Sequence, residues 1–294
     1  MVKREKPWLQ PWLFCLPALL VLISLTILPL AQTVRDSFTN AHLGVSQAAE
    51  WIGLENYAYL LRDPDWWRSV ENTLIFTACS VFLETLLGLG IALLLHSNLK
   101  GRGALRTAVL IPWAIPAVVS ARIWAWMFND LYGVVNEVLT RLGVIASPVA
   151  WLADPRLAMT TLVIVDVWKT TPFMALLILA GLQSIPTSVH EASQVDGASA
   201  WREFKSVTLP LLRPAIGVAV LFRMLDALRI FDLPFVLTSN SKSTSVISIY
   251  ARQQMVDFQD VGYGSAAAFL IFCMTAVIAV IYLATARKQL GLER

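Results

Sequence analysis

Six apolar stretches, each long enough to cross a bilayer and each bounded by short polar segments, leave this chain few ways to fold. They run from Trp12 to Ala31, Asn72 to Leu95, Thr107 to Leu131, Leu157 to Leu182, Pro214 to Leu237 and Gly262 to Ala286. A hydrocarbon core of about 30 Å needs roughly 20 residues of helix, and in lipid a helix satisfies its own backbone polar groups where an open strand cannot. The expectation is an all-α polytopic membrane protein with six transmembrane helices. Only 15% of the 294 residues are charged and 57% are hydrophobic, against about a quarter charged in soluble domains, so a soluble globular domain is excluded.

Lys and Arg set the orientation. With a cytoplasmic N-terminus, one side holds Lys3, Arg4, Lys6, Lys100, Arg102, Arg106, Arg202, Lys205, Arg213, Arg287, Lys288 and Arg294, twelve in all, and the other holds seven: Arg35, Arg62, Arg68, Arg141, Arg156, Lys242 and Arg252. The positive-inside rule then places both termini in the cytoplasm. Residues 1–11 form a cytoplasmic N-terminus and 12–294 a single transmembrane domain, with an extracytoplasmic segment over 33–71 and a cytoplasmic loop over 186–213. Trp51, Trp66, Trp67 and Trp151 suit the outer interface, and the 33–71 segment is expected as short helices along the outer membrane surface. Lys3-Arg4 before an apolar run also suits a secretory signal, but the run is longer than a usual signal core and Pro29-Leu-Ala-Gln32 is a poor cleavage site. Cys15, Cys79 and Cys273 fall inside apolar runs without ligand spacing and read as small buried hydrophobes. His42, His96 and His190 form no cluster, so no metal site is expected, and the scattered basic residues offer no nucleic-acid patch.

The loop between the fourth and fifth runs is too regular for a simple connector. Ser188 with Glu191 three residues on reads as a capping box that starts a short helix after Pro186. Asp196-Gly197 breaks it, since glycine accepts the left-handed conformation of a helix end. Ser199 starts a second short helix carrying Trp201, Phe204 and Val207 on one face, which Leu209-Pro210 closes. Two short helices with an apolar face make a knob for another protein.

The residues Glu191-Ala192-Ser193, Gly197 and Leu209-Pro210 resemble the coupling loop of ABC importer permeases, whose pattern is Glu-Ala-Ala, then Gly, then Leu-Pro. Ser193 replaces the second Ala, a small-for-small change. Gly53-Leu-Glu-Asn-Tyr57 is similar to a signature that follows the first helix of sugar-type permeases. From Asp166 through Pro214, including the frame Trp168, Pro172, Phe173 and Met174, the chain is similar to the larger permease half of maltose importers. The fifth run, Leu221 to Asp232, looks closer to the trehalose/maltose type. The resemblance implies a type I ABC importer permease fold in a prokaryotic inner membrane. It implies half of a translocation path for a disaccharide such as trehalose or maltose, and a transport subunit that is not itself an enzyme. Glu191, Ala192, Asp196, Gly197, Trp201, Phe204, Leu209 and Pro210 would couple to an ATPase. The implied partners are a second permease subunit in a heterodimer, two ATPase subunits that hold ATP and Mg, an extracytoplasmic sugar-binding protein, the sugar and membrane lipid. No cofactor is expected on this chain, which carries no phosphate-binding G-x-x-x-x-G-K-[ST] loop.

Ionisable side chains within spans are costly and mark functional positions by default. Here they are Glu84, Arg122, Asp166, Lys169, Arg223, Asp226, Arg229 and Asp232. Arg223, Asp226, Arg229 and Asp232 recur every third residue with alternating sign, so helical neighbours can pair. Such a ladder either fixes helix packing or offers donors and acceptors to a polyhydroxylated ligand. For Asp226 and Arg229, mid-run, ligand contact is favoured. Asp166, Lys169 and Thr170 share a face of the fourth run, Pro172 frees backbone carbonyls, and Trp168 or Phe173 can supply an aromatic platform, although core packing is the commoner role of each. The resemblance implies that Asp166, Lys169, Thr170, Phe173, Asp226 and Arg229 line the sugar site. Two other functions compete: an ion-coupled secondary transporter carrying its ions on Glu84, Asp166 and Asp226, and an intramembrane enzyme. The first leaves the Glu191 loop without a purpose and the second lacks a nucleophile with its base.

Overall fold

The computed structural model describes residues 9–44, 48–97, 100–239 and 241–289, and its regular elements are helices, with two isolated bridges besides. Helix α1 comprises Leu9–Leu22, a π turn over Ile23–Ile27 and Leu28–Asp36. There follow α2 (Glu55–Leu60), α3 (Pro64–His96), α4 (Arg102–Ala114), α5 (Ala117–Met127), α6 (Val134–Arg141), α7 (Ala158–Gln183) and α8 (Thr187–Val195). Helix α9 (Ala200–Ala227) contains a π turn at Phe204–Thr208. Then come α10 (Asp232–Thr238), α11 (Ile247–Arg252, extended by a π turn over Gln253–Asp257) and α12 (Val261–Gln289). Lys3, Arg4, Lys6 and Arg294, used to orient the chain, lie outside the described residues.

Among the described residues five helices are long and apolar enough to span a membrane, and α4 and α5, which meet at an angle of 90°, make six if the bent pair is one span. The third run was expected to be one straight helix. Pro116 prevents that, because it has no N–H and pushes the preceding residue out of the helical region, and Ile115 is extended with ψ 133°. The second span starts at Pro64 instead of Asn72, since proline's fixed φ suits a first helical turn. As a result, only α2 lies as a short helix within the 33–71 segment, and Trp66 is fully buried. The fifth span starts at Ala200, not Pro214, and stops at Ala227, not Leu237. Leu209-Pro210 does not close the loop's second helix. The Leu209 N–H reaches the Phe204 carbonyl, five residues back, and this wider turn carries the helix through Pro210, whose missing N–H would otherwise leave a gap. At the other end the helix stops at Ala227, and the chain restarts as α10 with Pro234 in its first turn.

The described residues up to 63, with 250–272, form one compact unit. In it the Gly53–Tyr57 signature has a direct structural use. Gly53 takes φ +65°, buried Asn56 donates through Nδ2 to the carbonyls of Ser37 (3.0 Å) and Thr39 (2.9 Å), and the Tyr57 hydroxyl pairs with that of Ser37 at 2.6 Å. Phe38 stacks on Trp51, ring centroids 5.2 Å apart.

The described residues of 64–249, with 273–289, form the second unit. Its centre is α7, whose apolar window is 61% buried, against 33% for α3 and 22% for α9. Phe76, Phe128, Leu162, Leu233 and Leu237 pack into one core cluster, and Ala92, Met174, Ile178, Leu182 and Leu212 into another. Close crossings rest on glycine. A Cβ at Gly181 would lie 2.3 Å from the Ala215 Cβ of α9, and one at Gly88 would lie 2.7 Å from the Met174 Cγ. Small residues let membrane helices approach in this way. Cys15 and Cys79, expected to be buried, face outward from their helices, because the apolar faces that carry them have no packing partner within the chain.

The α7–α9 crossing makes a specific demand. Gly181→Ala must separate the two backbones and is expected to cost about 1–3 kcal/mol, lowering the thermal midpoint of the detergent-solubilised protein. Adding Ala215→Gly should recover most of the loss, and failure to recover would show that the crossing is not what the methyl disturbs.

Candidate functional site

The intramembrane charges converge on Arg223, which is 2% exposed. Its Nε donates to Glu84 Oε2 at 2.5 Å, one terminal nitrogen donates to Glu84 Oε1 at 3.0 Å and also to Asp166, and the other reaches Asp226 Oδ2 at 2.9 Å. Glu84 on α3 is fully buried, as is Asp166 on α7, while the Asp226 side chain is 75% exposed. Ser80 donates to Glu84 Oε1 (2.9 Å) and is also within hydrogen-bond reach of Asp166. The Thr170 hydroxyl lies 2.5 Å from Glu84 Oε1 and 2.6 Å from its own helix's Asp166 carbonyl. A buried charge survives only when paired and hydrogen-bonded, and this guanidinium uses its whole planar edge to that end.

The expected ladder of Arg223, Asp226, Arg229 and Asp232 therefore does not run along one helix face. Arg223 and Asp226 close α9, Arg229 lies in the turn beyond it with Nε bonded to the Leu225 carbonyl at 3.1 Å, and Asp232 starts α10. Asp226 pairs with Arg223 rather than with Arg229. The break borders a cavity of about 220 Å³ lined by Ala117, Asp166, Lys169, Thr170, Asp226, Arg229, Asp232 and the apolar Ile230, Phe231 and Leu233. Five of the six residues expected at a site line this one cavity. Phe173 does not: its ring stacks on Trp113 at 5.7 Å, since its position on α7 turns it toward α4. Trp168 packs edge-on against Trp124. The aromatic that reaches the cavity is Phe231, stacked on Phe235 at 5.1 Å, which the sequence pattern did not mark. Lys169 Nζ donates at 2.6 Å to the Ile115 carbonyl, at the break between α4 and α5.

The polar loop forms two helices joined at Gly197. No side chain caps α8, whose first residue follows Pro186, so Ser188 lies inside the helix and the capping box with exposed Glu191 is not made. Pro186 takes the position before the helix because its φ is already set and it lacks the N–H that a cap would satisfy. The exit is as expected. Gly197 has φ +71°, its N–H bonds the Gln194 carbonyl at 3.0 Å, and the Ala198 N–H bonds the Ser193 carbonyl at 3.0 Å, the paired closure of a left-handed helix cap. Ser199 accepts from the Arg202 N–H. Trp201, 72% exposed, lies against Phe204 with centroids 5.7 Å apart. A bond that the sequence gave no sign of ties the two helices: His190 Nδ1 to Glu203 Oε1, 2.7 Å. Because α9 is unbroken, Trp201 and Asp226 stand on one helix, about 37 Å apart at 1.5 Å per residue. Among the described residues no group of His, Cys, Asp and Glu could hold a metal ion.

Residues 84–290 match the family model of binding-protein-dependent transport system inner membrane components. The chain is 46% identical over 280 residues to the trehalose/maltose transport system permease protein of Thermococcus litoralis, covering 94% of this chain and 93% of that one. It is 40% identical to the sulfoquinovosyl glycerol transport system permease protein of Agrobacterium fabrum, covering 93% and 89%. It is 42% identical to the trehalose transport system permease protein of Mycobacterium tuberculosis, covering 91% and 85%. Among solved structures, a chain of a bacterial ABC transporter involved in importing the acidic polysaccharide alginate superposes with a TM-score of 0.84, at 24% identity and 96% coverage of both chains. At that identity the likeness speaks for the fold.

The charge geometry separates the two arginines of the fifth run by their burial. Arg223→Ala strands buried carboxylates and is expected to cost about 3–5 kcal/mol. Arg229→Ala, on the exposed turn, should cost no more than about 0.5 kcal/mol. Thermal midpoints of the two purified variants check this. Equal losses would mean that Arg223 is not the keystone.

Proposed function

The chain belongs to the binding-protein-dependent transport system inner membrane components, the permease subunits of ABC importers, and on that premise we propose that its cargo is a disaccharide such as trehalose or maltose. It is a multi-pass membrane transport subunit and not an enzyme. Family membership leaves the ion-coupled reading without support. The observation that carries the cargo reading is the 46% identity, over nearly the whole chain, with a permease named for trehalose and maltose. The cavity is consistent with it: its lining combines carboxylates, a hydroxyl, the cations Lys169 and Arg229, and the apolar ring of Phe231. Asp166, Lys169, Thr170, Asp226 and Arg229 contact the sugar in this reading.

The chain supplies half of the path and pairs with a second permease subunit. An extracytoplasmic binding protein delivers the sugar. Two ATPase subunits, which hold ATP and Mg, receive the 186–213 loop, with exposed Trp201 and Val195 as apolar contacts. Both termini and that loop are cytoplasmic. Coupling requires that two sites bias one shared equilibrium, and a helix running from Trp201 to Asp226 is a mechanical means of sharing it.

The reconstituted complex tests this. Trehalose or maltose, presented with the binding protein, should stimulate ATP hydrolysis, and Gly197→Val should abolish the stimulation while the complex still assembles, because a β-branched residue is strained at φ +71°. Full stimulation in the variant would remove the loop from the coupling path.

Orientation is read by labelling single cysteines in a cysteine-free background. A cysteine at exposed Leu54 should react with an impermeant reagent from outside, and one at exposed Ala200 only from the cytoplasm. The reverse pattern would overturn the topology.

A further inference from the structure

We propose that Glu84, which does not line the cavity, is a positioning residue for sugar recognition: through Arg223 and Thr170 it turns the α7–α9 wall of the cavity into a surface of hydrogen-bond acceptors. The inference rests on reading the cavity as a sugar site. Glu84 is fully buried, and its two oxygens receive Ser80, Thr170 and two bonds from Arg223. That saturation fixes the carboxylate. The guanidinium is a rigid planar fork, so fixing its Nε edge on Glu84 also fixes where its terminal nitrogens point. They point at Asp166 and Asp226, the two carboxylates of α7 and α9 that line the cavity.

The donors beside the cavity are therefore already engaged within the protein. Thr170 has one hydroxyl hydrogen, and Glu84 Oε1 and the Asp166 carbonyl both lie within reach to take it. What Thr170 presents to a ligand is a lone pair. Asp166 and Asp226 likewise present only acceptors. A sugar hydroxyl meeting this wall must donate to it, while Lys169 and Arg229 remain as donors for the ring and glycosidic oxygens. Glu84→Gln changes this polarity without stranding a charge, because Asp166 and Asp226 still balance Arg223. The new amide N–H₂ needs acceptors, however, and takes them from the Ser80 and Thr170 hydroxyls, whose hydrogens must turn elsewhere.

The experiment uses the complete complex in lipid nanodiscs without the binding protein, and measures equilibrium binding of radiolabelled trehalose and of maltose together with the thermal midpoint. Glu84→Gln is expected to weaken binding by about tenfold, the scale of a mispaired buried polar group, with a smaller midpoint change than Arg223→Ala. Asp226→Asn should also weaken binding. The double variant should lose little beyond the larger single loss, because both changes act through one guanidinium. Multiplied losses would mean that Glu84 and Asp226 act independently and would overturn the proposal, as would parental affinity in Glu84→Gln. Should Glu84→Gln fail to assemble, Ser80→Ala removes the hydroxyl that Glu84 and Asp166 share and leaves every charge in place. A loss of about two- to fivefold is expected for it, and unchanged affinity overturns the proposal. If the unmutated complex binds neither sugar, the cavity reading falls and this inference falls with it, whereas binding there with an unaffected Glu84→Gln overturns this inference alone.

Discussion

A guanidinium buried inside a membrane span can persist only if carboxylates come to it, and the second unit of this protein is arranged around that requirement. Arg223 lies on α9, Glu84 on α3 and Asp166 on α7. The ions cannot meet unless three spans hold fixed registers and approach closely. Gly181 and Gly88 make the approach possible, since any side chain there would collide with Ala215 or Met174. Small residues at the crossings and charges at the node are two parts of one arrangement. Replacing buried ion pairs by apolar groups is often neutral for stability, so a node built at this cost is better understood through what it presents to the cavity than through what it adds to folding.

Prolines shape the space beside the node. Pro116 bends the third span by 90° and exposes the Ile115 carbonyl, which Lys169 takes. The chain leaves α9 at Ala227 and restarts as α10 with Pro234 in its first turn, leaving Arg229 to Phe231 in a turn between them. Both breaks border one cavity, where backbone irregularity is tolerated because it is buried in protein or faces a polar space. Pro210 has the opposite outcome. A π turn absorbs it and the helix runs on, so exposed Trp201 and the charged residues beside the cavity belong to one continuous helix.

The sequence by itself determined the features set by local chemistry. Run length gave the number of spans, and Asp196-Gly197 gave the left-handed turn that separates the loop helices. The family resemblance singled out six residues for one site, and five of them line one cavity. Tertiary structure decided which charge meets which. Glu84 and Arg223 are 139 residues apart, and no periodicity reports a contact at that distance. His190 with Glu203 and Lys169 with Ile115 are similar cases. Whether a proline breaks a helix, as Pro116 does, or is carried through it, as Pro210 is, was not legible either. The same missing N–H has both outcomes, and what surrounds the freed carbonyl decides between them.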